Sequence, residues 1–491
     1  MNRPGNRGKR APRDVRGAEG AAVSGPGPAR SAGRRGGRAR GLAAVLVASV
    51  LAAGAGPAAR GENTGEPLDL AAAVRLAHGH SPAVRESEAA RDAARAARRE
   101  ARLSRLPALV VRETALRTDS PADAFGLQLM QERFSFPAFM QADPNDPEPL
   151  NNFNTQLEAS VPLFAGGALT AGIRQAGRMA DAAEALREHS VRAANLDVTE
   201  AYLGALLAGR FAELAARARE TTARHAEQAR AFHETGMIVE SDYLQARVQL
   251  ARMEENLLRA EGGERLARAG LNRAMGLDQS RAFRLSEVAE PAAGLPSTLE
   301  EALERARRGR RDLQASDRRA EALGAGVTRA RAEYFPQIGL AARWDWNHDE
   351  DFADPGDSYA LIARAEWNVW NWGQTQARVD RSRGEHRAAL EARRAHGAQV
   401  EFEVRAAWQA REEARARLEV TAGAVAAAER ALSILEDRFA QGVARTTDLL
   451  DAETMAHEAR VREAQARSDL QLAVRKLIYT IGENPVPEVE G

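Results

Sequence analysis

Asp448 and Asp451 stand three residues apart in a helix-like stretch, so both carboxylates fall on one helix face. Repeated around a symmetry axis, such a pair would form two stacked carboxylate rings that attract cations, repel anions and narrow an aqueous passage. The plainer reading is a helix start, where Asp is favoured electrostatically and Thr447 is placed to cap. Asp448 suits both readings, whereas Asp451, further inside the helix, is explained better by the passage. His78-Gly79-His80 is the nearest approach to a metal-binding pair, and it sits at the end of an amphipathic helix, where structural histidines are commoner. The run His348-Asp349-Glu350-Asp351 reads as a solvated loop. No nucleophile elbow, phosphate loop or zinc-binding His pair occurs in the chain. There is no cysteine, which excludes disulfides, thiolate metal sites and cysteine nucleophiles. The expectation is a protein that is not an enzyme, with no cofactor, no metal and no nucleic-acid partner.

Stepping from these residues to the elements that must carry them, the zero net charge of the 491-residue chain hides a split. Residues 1–59 hold eleven basic and two acidic side chains, and residues 60–491 are net −9. The apolar run from Leu42 to Ala53 is too short for a bilayer core of ~30 Å, and small residues at Ala53, Ala55, Ala58 and Ala59 follow it. That is the pattern of a signal peptide, with cleavage expected near 55–60 and the chain exported.

The remainder is duplicated. Leu70 with Ala73 returns as Leu299 with Ala302, and Leu106-Pro107 as Phe335-Pro336, at an offset of 229. Gly167, Gly236, Asp242, Ala246 and Gly276 return as Gly373, Gly442, Asp448, Ala452 and Gly482 at an offset of 206. The 23-residue difference places an insertion in the first copy, within the Pro- and Asp-rich stretch from Ser120 to Pro149. Each copy reads as helix, strand pair, very long helix, turn and helix. The helices are expected at 68–105, 168–232 and 243–275, then at 299–334, 374–438 and 449–481, with Ala-rich seams such as Ala406, Ala410, Ala414 and Ala424 to Ala428. Strands are expected at about 107–119, 152–164, 336–347 and 358–370. Ile338, Leu340, Ala342, Trp344 and Trp346 alternate with Gly339, Ala341, Arg343 and Asp345, the period-two pattern of transmembrane barrel strands. Trp344, Trp346, Trp367, Trp370 and Trp372 suit an interfacial aromatic belt. Four strands cannot close a barrel, for which about eight are needed, and an open sheet edge cannot face lipid, so several chains must combine.

With both copies in order, the residues resemble the TolC-type outer membrane efflux family from Leu68 to Glu483. The elements that match are Arg105-Leu106-Pro107-Ala108-Leu109, Pro162-Leu163-Phe164-Ala165-Gly166-Gly167, Thr235-Gly236-Met237-Ile238 with Asp242-Tyr243-Leu244-Gln245-Ala246, and Gln441-Gly442-Val443-Ala444 with Asp448-Leu449-Leu450-Asp451-Ala452. The resemblance implies a mostly α protein with a transmembrane β-barrel. It would be a homotrimer in the outer membrane lipid that closes one twelve-stranded barrel on a periplasmic tunnel of long antiparallel coiled-coil helices. The domains would be a signal and basic region at 1–59, a first repeat at 60–291, a second at 292–483 and a short tail at 484–491. The function implied is the passive exit duct of a tripartite efflux pump or type I secretion system, coupled to a periplasmic membrane-fusion adaptor and an inner-membrane transporter. Asp448 and Asp451 match the family's acidic gate. Thr235, Gly236, Met237, Ile238, Gln441, Gly442, Val443 and Ala444 match its adaptor-contacting tip. Asp242 matches a position that holds the closed tip through an Arg, but Ala444 occupies the place of that Arg and Arg445 lies one residue on. An exported coiled-coil adhesin or stalk is the alternative, although adhesins of that type gather their strands at one chain end.

Overall fold

Proline and buried charge decide where the amphipathic stretches break. The computed structural model describes residues 66–141, 143–289, 294–349 and 356–486. The basic stretch, the apolar run and the expected cleavage region lie outside the described residues, as do Glu350, Asp351 and the end of the tail. The chain begins with β1 (Glu66–Leu68), α1 (Leu70–His80) and α2 (Pro82–Leu103). The single helix expected over 68–105 is thus two. Pro82 starts α2 at its first position and holds Ser81 extended at φ −62°, ψ 123°. Next come β2 (Ala108–Thr118), α3 (Pro121–Met130), α4 (Phe136–Phe139), β3 (Leu150–Ala165), α5 (Ala168–Glu234), α6 (Glu240–Ala274) and β4 (Phe283–Leu285). The second copy runs α7 (Leu299–Gly309), α8 (Arg311–Arg331), a 3-10 turn, β5 (Gln337–His348), β6 (Gly356–Glu366), α9 (Gln374–Ala440) and α10 (Thr446–Thr480). Here too the expected helix over 299–334 is interrupted, at Arg310. Its guanidinium is buried against Asp312 (2.6 Å) and Glu403 (2.9 Å), and Asp312 also meets His396 at 3.0 Å.

The two 67-residue helices, α5 and α9, each reach about 100 Å at ~1.5 Å per residue. The repeats do not form separate bodies. α8 packs between α5 and α9, and α10 packs on both α9 and α5. Val74 and Ala77 of α1 close a core with Val198 and Tyr202 of α5, Leu271 of α6 and Met275 at its C-cap. Ala306, Val400, Val404, Leu477 and Ile481 build its counterpart in the second copy. Burying each large side chain contributes roughly 1.5–3 kcal/mol, and Tyr202 donates to the Leu68 carbonyl at 2.7 Å. The expected alanine seam of α9 differs: Ala414 is buried, but Ala406, Ala410, Ala424, Ala426 and Ala427 are exposed on the single chain. Small residues that let helices approach closely are therefore turned away from the chain's own helices.

The main sheet runs β2-β3-β5-β6, antiparallel throughout, with β3 joining the two copies. Among the described residues nothing pairs with the outer edges of β2 and β6. A bulge falls at Pro162 to Phe164, where proline has no N–H for the ladder. The register sorts the faces: Val111, Leu157, Trp344 and Tyr359 share one, while Gln156, Asp345 and Ser358 share the other. β6 stops at Glu366, short of the position 370 expected for it, because the chain turns there into α9 through Trp372 at φ 55°.

Candidate functional site

Where α5 meets α6 and α9 meets α10, two turns of the same construction end the long helices. Gly236 donates to the His233 carbonyl and Met237 to that of Phe232, and Gly442 and Val443 repeat this toward Phe439 and Arg438. These paired bonds satisfy the last helical carbonyls and need a left-handed residue, which each glycine supplies at φ 74°. Space is not the reason for glycine, since an added Cβ would meet nothing within 4 Å at either position. Met237, Val239 and Val443 are exposed at the turns. Thr235, Gly236, Gln441 and Gly442 are exposed with them, and Ile238 and Ala444 are half-buried. Ile238 and Ala444 turn inward. Ile238 packs on Ala226, Ala229, Ala246 and Leu450, and Ala444 on Phe439 and Leu449. The rings of Phe232 and Phe439 lie 5.6 Å apart and tie the two turns together.

Asp448 and Asp451 follow directly on α10, and both are exposed while Leu449 and Leu450 between them are buried. The helix therefore turns both carboxylates to the same open side. Arg445, with no side-chain cap bond, occupies the N-cap position that Thr447 was expected to fill, and Thr447 lies inside the first turn. Asp242 and Arg445 are not brought together: no ion pair joins them among the described residues, and Asp242 has only the Ser241 hydroxyl at 3.5 Å. A different link holds the first copy to the second at this level. Glu453 is buried between α5 and α10, paired with His225 and accepting from the Thr222 hydroxyl at 3.2 Å. Gln249 donates to Thr454 at 3.1 Å beside it. Sequence reasoning missed Glu453. The available signal was its place within the spacing of Leu449, Ala452 and Ala456, a buried face on which a lone carboxylate needs a partner.

The five tryptophans fall at two levels rather than one. Trp344 stacks on Trp346 at 6.0 Å and lies 6.1 Å from Tyr359. Trp370 and Trp372 pack edge to face at 5.8 Å beyond the end of β6, and Trp367 donates to the Tyr334 carbonyl at 3.0 Å. Because Glu366 pairs with Gln337, Trp367 is level with position 336 and eight positions from Trp344. That is ~27 Å along the strand at ~3.4 Å per residue, or about 20 Å along a barrel axis at ~40° tilt. The opposite face of the sheet is a ladder of polar side chains. Gln156 donates to Asp345 at 2.9 Å, Arg343 pairs with Asp345 at 2.8 Å, and Asn152 and Asn154 each donate to Asn347 at 3.1 Å.

His78 and His80 go separate ways, to Asn195 at 2.7 Å and to the Leu76 carbonyl at 2.9 Å. No group of three His, Cys, Asp or Glu able to hold a metal occurs among the described residues. No helix among the described residues is long and apolar enough to cross a membrane.

The family model described as outer membrane efflux protein matches residues 73–277 and 302–483, one segment for each copy of the duplication. Among solved structures the chain is similar to the outer-membrane channel OprN, with a TM-score of 0.72 and 19% identity over 85% of this chain and 90% of that one. The outer membrane protein VceC of Vibrio cholerae gives a TM-score of 0.70 and 21% identity over 85% and 97%. The open-state outer membrane channel MtrE of Neisseria gonorrhoeae gives 0.70 and 19% over 86% and 91%. No curated protein sequence matches.

Proposed function

The chain belongs to the outer membrane efflux protein family, and from that premise we propose that it is the passive exit duct of a tripartite efflux or type I secretion system, closed at rest by its helical tip. The observation that carries this reading is the four-stranded sheet, open at both edges, apolar with Trp344 and Tyr359 on one face and polar with Gln156 and Asp345 on the other. Unpaired strand edges cannot stand in lipid. Three copies would join β6 of each chain to β2 of the next and close twelve strands with the apolar face outward. The two tryptophan levels, about 20 Å apart along the barrel, would then bracket an apolar band of roughly 25 Å.

In that assembly the exposed alanine face of α9 meets a neighbouring chain, and the long helices continue the barrel as a tunnel through the periplasm. Asp448 and Asp451 from three chains form two carboxylate rings at its narrow end. Thr235, Gly236, Met237 and Val239 with Gln441, Gly442 and Val443 offer the surface for a membrane-fusion adaptor. Ile238 and Ala444 support it from behind, and the inner-membrane transporter engages through the adaptor. The duct makes and breaks no bonds. Opening requires the α9–α10 pair to move against α5–α6, and within the single chain the Glu453–His225 pair, rather than Asp242 with Arg445, links the two. Crosslinking of the purified protein in mild detergent tests the assembly: the band ladder should end at three chains. A ladder that ends at two or four would overturn the twelve-stranded closure.

A further inference from the structure

The 31 residues from Asp119 to Pro149 that join β2 to β3 have no counterpart in the second hairpin, where His348 and Gly356 are separated by only seven. They do not stand away from the sheet. α3 packs on β3 and β6, with Ala124 and Leu127 buried beneath it. Gln131, 2% exposed, donates to the Asn152 side chain at 2.9 Å and to the carbonyls of Asn151 at 2.8 Å and His348 at 3.2 Å. Asn152 and Asn347 are covered to 4% and 3%. Arg133 pairs with Asp349, the residue after β5. Gly356 fixes the closeness of approach, because a Cβ there would lie 2.0 Å from the Met130 carbonyl oxygen.

All these contacts fall on the polar face, since Asn152 and Asn154 alternate with Leu157 and Ala159, and Gly356 pairs with Asn347. The segment is therefore folded toward the inside of any barrel the sheet closes. It is a built unit: Phe125, Phe134 and Phe139 pack at ring distances of 5.4 to 5.7 Å and lock α3 to α4. Its free surface is apolar, with Leu129, Met130, Phe136 and Met140 exposed by 48, 57, 65 and 68%.

We infer that residues 120–141 form a second constriction, at the outer mouth of the duct, whose apolar surface limits the size and polarity of what passes. The inference rests on the duct reading above. Twelve strands ~4.8 Å apart and tilted ~40° enclose a backbone cylinder of about 12 Å radius. Three helices ~10 Å across, packed around one axis, occupy a circle of about 11 Å radius. Three inward segments therefore fill most of the mouth. A lining of Phe, Met and Leu resists wetting by water and ions, whereas the polar ladder beneath it does not.

The test uses purified full-length protein in planar bilayers, with Asp448→Ala and Asp451→Ala combined so that the inner tip no longer limits the current. On that background, replacing 121–141 with a short Gly-Ser linker should raise single-channel conductance about two-fold or more. Because the chain has no cysteine, Phe136→Cys on the same background gives an independent readout. A bulky, charged, membrane-impermeant thiol reagent added from the outer side should lower the conductance. If the background conducts and neither change moves the current, the outer constriction is wrong and the duct stands. No current in the background would remove the duct reading and the constriction with it. If the linker variant does not assemble, the Phe136→Cys result decides alone.

Discussion

His189 lies on α5 facing Asp312 at 3.9 Å and the Tyr479 hydroxyl at 3.4 Å, with Arg310, His396 and Glu403 in the same cluster. Burial pushes its imidazole below the ordinary histidine range, and the pull of Asp312 does not fully offset this. At Asp312 burial pushes upward, but the hydrogen bonds and charge of Arg310 outweigh it and hold the carboxyl below the usual carboxylate range. The signs follow by linkage. A histidine with a depressed folded value takes up a proton more readily when unfolded, so stability falls as pH drops below about 6.5. The carboxyl's contribution is complete above about 4 and is lost as pH falls through its lower folded value. Thermal midpoints measured from pH 8 to pH 3 should therefore decline in two steps, the first shared with His225 and His457, whose imidazoles burial also lowers, and His189→Gln should make that step smaller. An unchanged midpoint from pH 8 to pH 5 would contradict this account. Asp448 and Asp451 were legible because a three-residue spacing fixes a shared helix face. The partners of Asp312 and Glu453 were not, because they come from other helices far along the chain, which no local pattern reports.

The duplicated turns carry the element-scale prediction. Gly236 and Gly442 hold φ 74° with open space around them, so Gly442→Ala is a test of backbone conformation alone. Its cost should be about 1–2 kcal/mol, seen as a lower thermal midpoint, and Gly442→Asn should recover part of it. Equal midpoints for wild type and Gly442→Ala would show that the turn does not need the left-handed residue. Periodicity made the two 67-residue helices readable, because 3.6-residue spacing without proline persists through each, and alternation did the same for the strands. The interruption at Arg310 follows Gly309, but a lone glycine in a helical pattern is a weak stop signal; a buried guanidinium linked to Asp312 and Glu403 stabilises the break. The two levels of tryptophan were equally hidden, since the end of β6 depends on where the chain must turn into α9. The insertion was legible as a change of offset, but its inward fold depends on Gln131 and Gly356 meeting residues from both hairpins.

For the whole molecule, the balanced charge of the full sequence is the sum of a basic stretch over residues 1–59 and a remainder at net −9. Part of that excess sits on the open side of the tip, where Asp448 and Asp451 extend from α10. Three chains would multiply it into a field that favours cations at the narrowest point of the passage. An open four-stranded sheet, a polar ladder on one face, an exposed alanine face and exposed carboxylates near the tip turns are all accounted for by the proposal that the chain is a third of a gated duct. Ion current through purified trimers in a planar bilayer, wild type against Asp448→Ala with Asp451→Ala, tests that proposal most directly. The account predicts small, cation-selective conductance for wild type, with a several-fold larger and less cation-selective conductance once both carboxylates are removed. Absence of current in both proteins would contradict it.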